Sequence, residues 1–173
     1  MILVTLGTQD KPFNRLLDAV QKEIDKGNIK DRVVVQAGCT KYESKDMEVF
    51  DLIPMDEFDR LLDECDLLIT HGGVGTIIGG LKRNKKVIAI PRLEKYGEHV
   101  NDHQIQIINN FNKEGYIIGV EDLNELDKAL TKSKKFKPNK YTSNRDNMIK
   151  LVSDLINEKR WKNHLFFIDN KNI

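Results

Sequence analysis

Residues 66–91 read DLLITHGGVGTIIGGLKRNKKVIAIP, and their order decides the fold. Residues 67–70 are a short apolar run of strand type. Residues 71–76, HGGVGT, are a tight glycine-rich turn, 77–83 read as a helix, and 87–90 read as the next buried strand. Strand, turn, helix and strand in that order form the building block of a parallel sheet. Three glycines let the backbone approach a ligand closely and leave the first N–H groups of the helix unobstructed. Those donors and the helix dipole point the same way, which suits an anion and, in particular, a pyrophosphate. The spacing is neither GxGxxG nor GxxxxGK(S/T), so this is not a dinucleotide or Walker loop. Many glycine turns between strand and helix bind nothing, and the turn alone leaves both readings open.

Upstream, residues 2–6 read as a buried strand followed by a loop at 7–10. With no basic flank and so short an apolar run, the start reads as a strand rather than a signal peptide. Residues 12–26 carry Phe13, Leu16, Leu17, Val20 and Ile24 at helical spacing; Pro12 suits the first turn and Gly27-Asn28 stops the helix. Residues 33–36 and 49–53 read as strands, the latter closed by Pro54. Asp56 reads as the N-cap of a helix over 57–64. Downstream, 92–102 is a polar loop, 103–113 a helix and 116–120 a short strand. Asp122 caps a helix that runs to about residue 131. Residues 1–132 thus form one domain, 133–141 a basic linker, and 142–173 a C-terminal helix with an aromatic tail.

Strands alternating with helices predict an α/β fold, a doubly wound, Rossmann-like parallel sheet with helices on both faces. Ligands of such sheets sit at the carboxyl ends of the strands. The loops at 7–10, 38–40, 54–55, 71–76 and 92–104 all follow strands, so connectivity gathers them on one edge and strengthens the case for a site there. Composition fits a soluble globular protein: 28 Lys and Arg against 27 Asp and Glu leave a formal net charge of +1. Bulk charge therefore predicts no nucleic acid partner, and no apolar run approaches the roughly 20 residues of a membrane span. Cys39 and Cys65 fit no zinc or CxxC spacing and read as reduced thiols, Cys65 as core.

TLGT near the start, VVQAG in the second strand, then DLLITHGGVGT, VIAIPR and NDHQ together resemble the C-terminal, nucleotide-sugar-binding half of glycosyltransferase family 28. The resemblance runs from Met1 to about residue 130. Whole enzymes of this kind, such as the MurG class, hold the active site between two Rossmann-like domains, and this chain matches the second. The opening ILVTLGTQDKPFNRLLDAV is most similar to PssE-type subunits of split capsule and exopolysaccharide transferases. It is also similar to the cytosolic subunit of the split dolichol-linked UDP-GlcNAc transferase.

The resemblance implies half of a GT-B fold and an inverting transfer of galactose or N-acetylglucosamine from a UDP-sugar. The pyrophosphate would lie along Gly72, Gly73, Val74, Gly75 and Thr76, with Gly7 and Thr8 bordering the phosphates and the sugar. Backbone groups near Met55 would read uracil. Asp102 and Gln104 would bond sugar hydroxyls, with His103 between them as a contact or a helix cap. Arg92 either pairs with phosphate or stays solvated. No cofactor and no metal is implied, and no DxD motif occurs. The general base is expected from a membrane-anchored PssD-type partner that supplies the half holding the lipid-linked acceptor. His71, ending a buried strand, is the candidate in this chain, against a plain structural role. The protein would be cytoplasmic and held at the membrane face through that partner. Trp161, Leu165, Phe166 and Phe167 would contact the partner or fold back on their own domain. The family places a Glu in the helix after the turn to bind ribose, where this chain has Gly79 followed by Gly80. Ribose contacts then weaken or pass to Glu94 or Glu98. This departure supports an alternative, a non-catalytic nucleotide-sugar-binding accessory or regulatory subunit. A UDP-sugar epimerase of related fold is a weaker third reading.

Overall fold

The computed structural model describes residues 1–142. Six parallel strands run β1 (Ile2–Thr5), β2 (Val33–Gln36), β3 (Met47–Phe50), β4 (Leu67–His71), β5 (Lys86–Ile90) and β6 (Ile118–Gly119), in the spatial order β3-β2-β1-β4-β5-β6. The helices are α1 (Asn14–Asp25), α2 (Met55–Glu64), α3 (Val74–Lys82), α4 (His103–Lys113) and α5 (Leu126–Lys135). The chain steps outward from β1 to β3, then returns to place β4 on the other side of β1. That reversal is the topological switch point, where ligands of open α/β sheets bind. Thr5 pairs with Thr70, so the loop after β1 and the turn after β4 leave the sheet side by side.

Buried strands explain the continuous apolar runs read from the sequence. Every residue of β1 and β2 is buried. One sheet face packs Val4, Leu6, Val35 and Ile69 against Leu16, Leu17 and Val20 of α1 and Leu126 and Leu130 of α5. The Cys65 thiol is buried and pushed up to about 11 by that burial, whereas Cys39 is exposed and donates to the Gln9 carbonyl.

Several boundaries differ from the sequence reading, each for a local reason. β3 occupies 47–50 rather than 49–53, because the Gln36 side chain accepts the Ile53 N–H and draws that stretch off the sheet. Pro54, not Asp56, sits at the α2 N-cap, and its carbonyl accepts the first helical bond from Phe58. α3 starts at Val74, three residues early, so Gly75 and Thr76 belong to its first turn. β6 has two residues rather than five. Asp122 caps a single 3-10 turn, Leu123–Glu125, from which α5 then starts. α5 continues through residues 133–135, placed in the linker by the sequence reading, because Ser133 is buried and bonds back to the Leu130 carbonyl. The expected last helix and aromatic tail lie outside the described residues.

The paired glycines of α3 have different causes. A Cβ on Gly80 would lie 2.9 Å from Leu68 and 3.0 Å from Val87, so Gly80 lets the helix press onto the sheet. A Cβ on Gly79 would make an ordinary 3.7 Å contact with Leu62. Gly80→Ala is therefore expected to destabilise by about 1–2 kcal/mol, overpacking outweighing the gain in helix propensity. Gly79→Ala is expected to stabilise by up to ~1 kcal/mol. Urea denaturation of both variants checks the contrast.

Candidate functional site at the switch point

The lip of the site is the start of α3. Gly73 occupies the N-cap with no side-chain hydrogen bond, and the first helical bond runs from Ile77 N–H to the Gly73 carbonyl. Among the described residues, no acceptor reaches the N–H groups of Val74, Gly75 or Thr76. Three unsatisfied donors thus point along the dipole from an uncapped helix. Gly72 is not part of that set, because its N–H donates to Gln104 Oε1 at 3.0 Å. The same oxygen accepts the Arg92 N–H at 3.0 Å, so one amide ties the loops after β4 and β5 together.

The His71 ring explains two further glycines. A Cβ on Gly7 would fall 2.6 Å from His71 Cε1, and one on Gly73 would fall 2.3 Å from its Nε2. The imidazole is therefore confined between the two loops, and Gly7 additionally has the left-handed φ of +76°. A Cβ on Gly38 would fall 2.4 Å from the Gly7 carbonyl oxygen, so the β2 loop supports the β1 loop from beneath. Burial, with Arg92 as the second cause, lowers the His71 pKa from the ordinary 6.5 to about 4. The ring is neutral at pH 7. The unfolded chain takes up this proton first as pH falls. Stability is accordingly full above pH 6.5 and is lost on descent toward pH 4. The loss is expected to approach ~2–3 kcal/mol. Urea midpoints at pH 7 and pH 4.5 should differ less in His71→Asn than in the wild type.

A cavity of about 350 Å³ opens beside the lip. Gly7, Thr8, His71, Gly73, Gly75 and Thr76 give it a polar, amide-rich side. Leu52, Ile53, Met55 and Phe58 give it an apolar side, with Met55 74% exposed. A ligand with an anionic centre and a flat apolar end matches this division. Thr5, Gln36, Leu52, Ile53 and Phe58 line the cavity without having been among the expected site residues. Gln36 ends β2 at the carboxyl edge, and that position was the available signal.

Other expected residues fall elsewhere. Arg92 is 0% exposed and donates to the carbonyls of Leu6, Lys11, Pro12 and Glu98. Its guanidinium lies 4.9 Å from the Phe13 ring centroid. It is a buried brace behind the loops after β1 and β5, neither solvated nor open to a phosphate at the lip. Gln104 is buried as the loop tie described above. Asp102 is exposed, accepts the Glu94 N–H and lines a second cavity rather than this one. His103 is exposed at the start of α4, where its N–H donates to Asn101. Glu98 is 4% exposed and held by both Arg15 and the Leu93 N–H, so it does not replace the ribose-binding Glu. Among the described residues, no helix is long and apolar enough to cross a membrane.

A doubly wound parallel half-domain with an open, amide-lined edge has the architecture of one half of the GT-B fold. Residues 1–158 match the glycosyltransferase family 28 C-terminal domain, and the chain belongs to that family. It is 28% identical over 81 residues to the UDP-N-acetylglucosamine transferase subunit ALG13 of Candida albicans, a match covering 47% of this chain and 26% of that one. The chain thus spans about a quarter of that curated relative. An NMR solution structure of ALG13 superposes with a TM-score of 0.57 at 22% identity, covering 84% of this chain and 91% of that one. The crystal structure of the glycotransferase of kitacinnamycin superposes with a TM-score of 0.59 at 19% identity, covering 76% of this chain and 34% of the larger one.

Proposed function

We propose that this chain is the donor-binding, catalytic subunit of a two-component inverting glycosyltransferase. It moves a sugar from a UDP-sugar to a lipid-linked saccharide in capsule or exopolysaccharide synthesis. The observation that carries the reading is the uncapped start of α3, whose three free N–H groups border a cavity with an apolar far side. Uracil fits the side formed by Leu52, Ile53, Met55 and Phe58, and the diphosphate fits Gly73, Val74, Gly75 and Thr76. As the acceptor hydroxyl attacks the anomeric carbon, the bond to UDP breaks and negative charge grows on the phosphates. Fixed donors aimed at that charge lower the barrier without reorganising. The donor complex requires neither a cofactor nor a metal. His71, with a conjugate acid near pH 4, is a poor general base at neutral pH. The base comes instead from a membrane-anchored partner of the PssD type, which holds the lipid-linked acceptor and keeps this chain at the cytoplasmic membrane face. The ALG13 relative, by name a subunit of a UDP-N-acetylglucosamine transferase, supports the division of labour and favours N-acetylglucosamine over galactose.

Titration of the purified protein with UDP, UDP-galactose and UDP-N-acetylglucosamine, then transfer assays with and without the partner, test the reading. Binding together with partner-dependent transfer supports it, and indifference to all three nucleotides with the partner present defeats it. The second reading, a nucleotide-sugar-binding accessory subunit, is favoured by Gly79, where space exists but no carboxylate stands. Binding without transfer in the assembled pair would select it.

A further inference from the structure

A second cavity, of about 690 Å³, is distinct from the donor pocket. It lies at the carboxyl ends of β5 and β6, two strands along the same edge, and its size falls within the roughly 300–1,000 Å³ of small-molecule sites. Pro91, Leu93, Ile105 and Leu123 supply its apolar lining. Its polar groups include three carboxylates, Asp102, Glu121 and Asp122, each held by one oxygen. Asp102 Oδ1 accepts the Glu94 N–H, Glu121 Oε1 accepts the Asn109 amide, and Asp122 Oδ1 accepts from Asn124. Among the described residues, the second oxygen of each has no partner. Three acceptors are thus fixed in orientation and left open.

The charge of the cleft narrows its ligand. Arg15 lines it but is committed to Glu98 through two bonds of 2.9 and 2.8 Å and to the Pro91 carbonyl, so that Lys95 is the lining cation with no carboxylate partner among the described residues. An anionic ligand would meet net negative charge. No three acidic, histidine or cysteine side chains among the described residues converge to hold a metal ion, so the carboxylates are spread along the cleft rather than gathered. Spread acceptors over an apolar lining, with the half-exposed Tyr96 ring at the rim, match a ligand with many hydroxyl donors, apolar C–H faces and no negative charge. That is a neutral saccharide.

We propose that this cleft is a saccharide subsite, holding the neutral hydroxyl-bearing end of the acceptor beside the donor pocket. The assignment to the acceptor rests on the transferase reading above; the saccharide chemistry does not. Asp102 lies two residues from Gln104, whose amide accepts the Gly72 N–H, so the cleft and the turn before α3 are tied through one short stretch of chain. This chain, and not its partner alone, then selects what is glycosylated.

The test is NMR titration of the isotopically labelled protein with cellobiose, N,N′-diacetylchitobiose and the anionic disaccharide cellobiouronic acid. Shifts at Tyr96, Asp102 and Asn124 are expected with the neutral probes at roughly millimolar concentrations, and weaker ones with the acid. Glu121→Ala and Tyr96→Ala should each weaken neutral-probe binding about tenfold, with the UDP Kd unchanged. Absence of shifts up to tens of millimolar, shifts confined to Gly73 and Thr76, tighter binding of the acid, or variants that bind like the wild type would overturn the proposal. If the disaccharides bind here and UDP does not bind at all, the subsite stands and the donor reading falls.

Discussion

Gly75→Asp is expected to weaken UDP binding by about 100-fold or more while leaving the protein folded and at least as stable as before. A Cβ at Gly75 meets nothing within 4 Å, so the side chain has room, and the residue lies in the first turn of α3. An acidic residue there gains about 0.3–1 kcal/mol from the helix dipole, and replacing glycine in a helix adds up to ~1 kcal/mol. The same charge sits where the diphosphate would. Two unit charges 4 Å apart repel by about 4 kcal/mol at an effective dielectric of 20, and the open edge screens part of that. Calorimetric UDP titration beside a thermal melt separates the effects. Gly75→Ala, which adds bulk without charge, should change the Kd by less than about tenfold. An unaltered Kd in the Asp variant would mean that the diphosphate lies elsewhere.

Arg92→Met is expected to lower the unfolding free energy by about 3–5 kcal/mol, because four carbonyls lose a buried charged donor at once. Those carbonyls belong to the end of β1, the start of α1 and the loop after β5, so the loss falls on the segments that present Gly7 and confine His71. Arg92 is the second cause of the depressed His71 pKa, so its removal should also raise that pKa, with burial still holding it below 6.5. Urea unfolding reads the first effect and NMR titration of the His71 ring reads the second. A midpoint within experimental error of the wild type would show that the guanidinium braces nothing.

The doubly wound parallel sheet was legible because it follows from short-range pattern. Runs such as 67–70 and 87–90 read as buried strands, and parallel connectivity sends every following loop to one edge. What stayed illegible depends on contacts between distant residues. Nothing local to Arg92 distinguishes a phosphate ligand from a brace; the difference is made by carbonyls more than 80 positions away. Gln104 reads as a polar residue at a helix start, and only the fold brings Gly72 to its oxygen. Gly80 and Gly79 look alike in sequence, yet Leu68 and Val87 crowd one and not the other. The start of α3 was misplaced because Gly73, Val74 and Gly75 read as a turn, whereas Gly73 in extended geometry already begins the helical bonding.

Because a single Gln104 oxygen holds both Gly72 and Arg92, any attempt to retune sugar preference by transplanting the 92–102 segment from a relative has a built-in constraint. A graft that stops short of residue 104, or that brings a residue unable to accept two hydrogen bonds, would also loosen the glycine turn before α3. The 92–102 segment and the turn before α3 should therefore be inherited as one cassette, and chimeras cut between residues 102 and 104 should lose the geometry of both together.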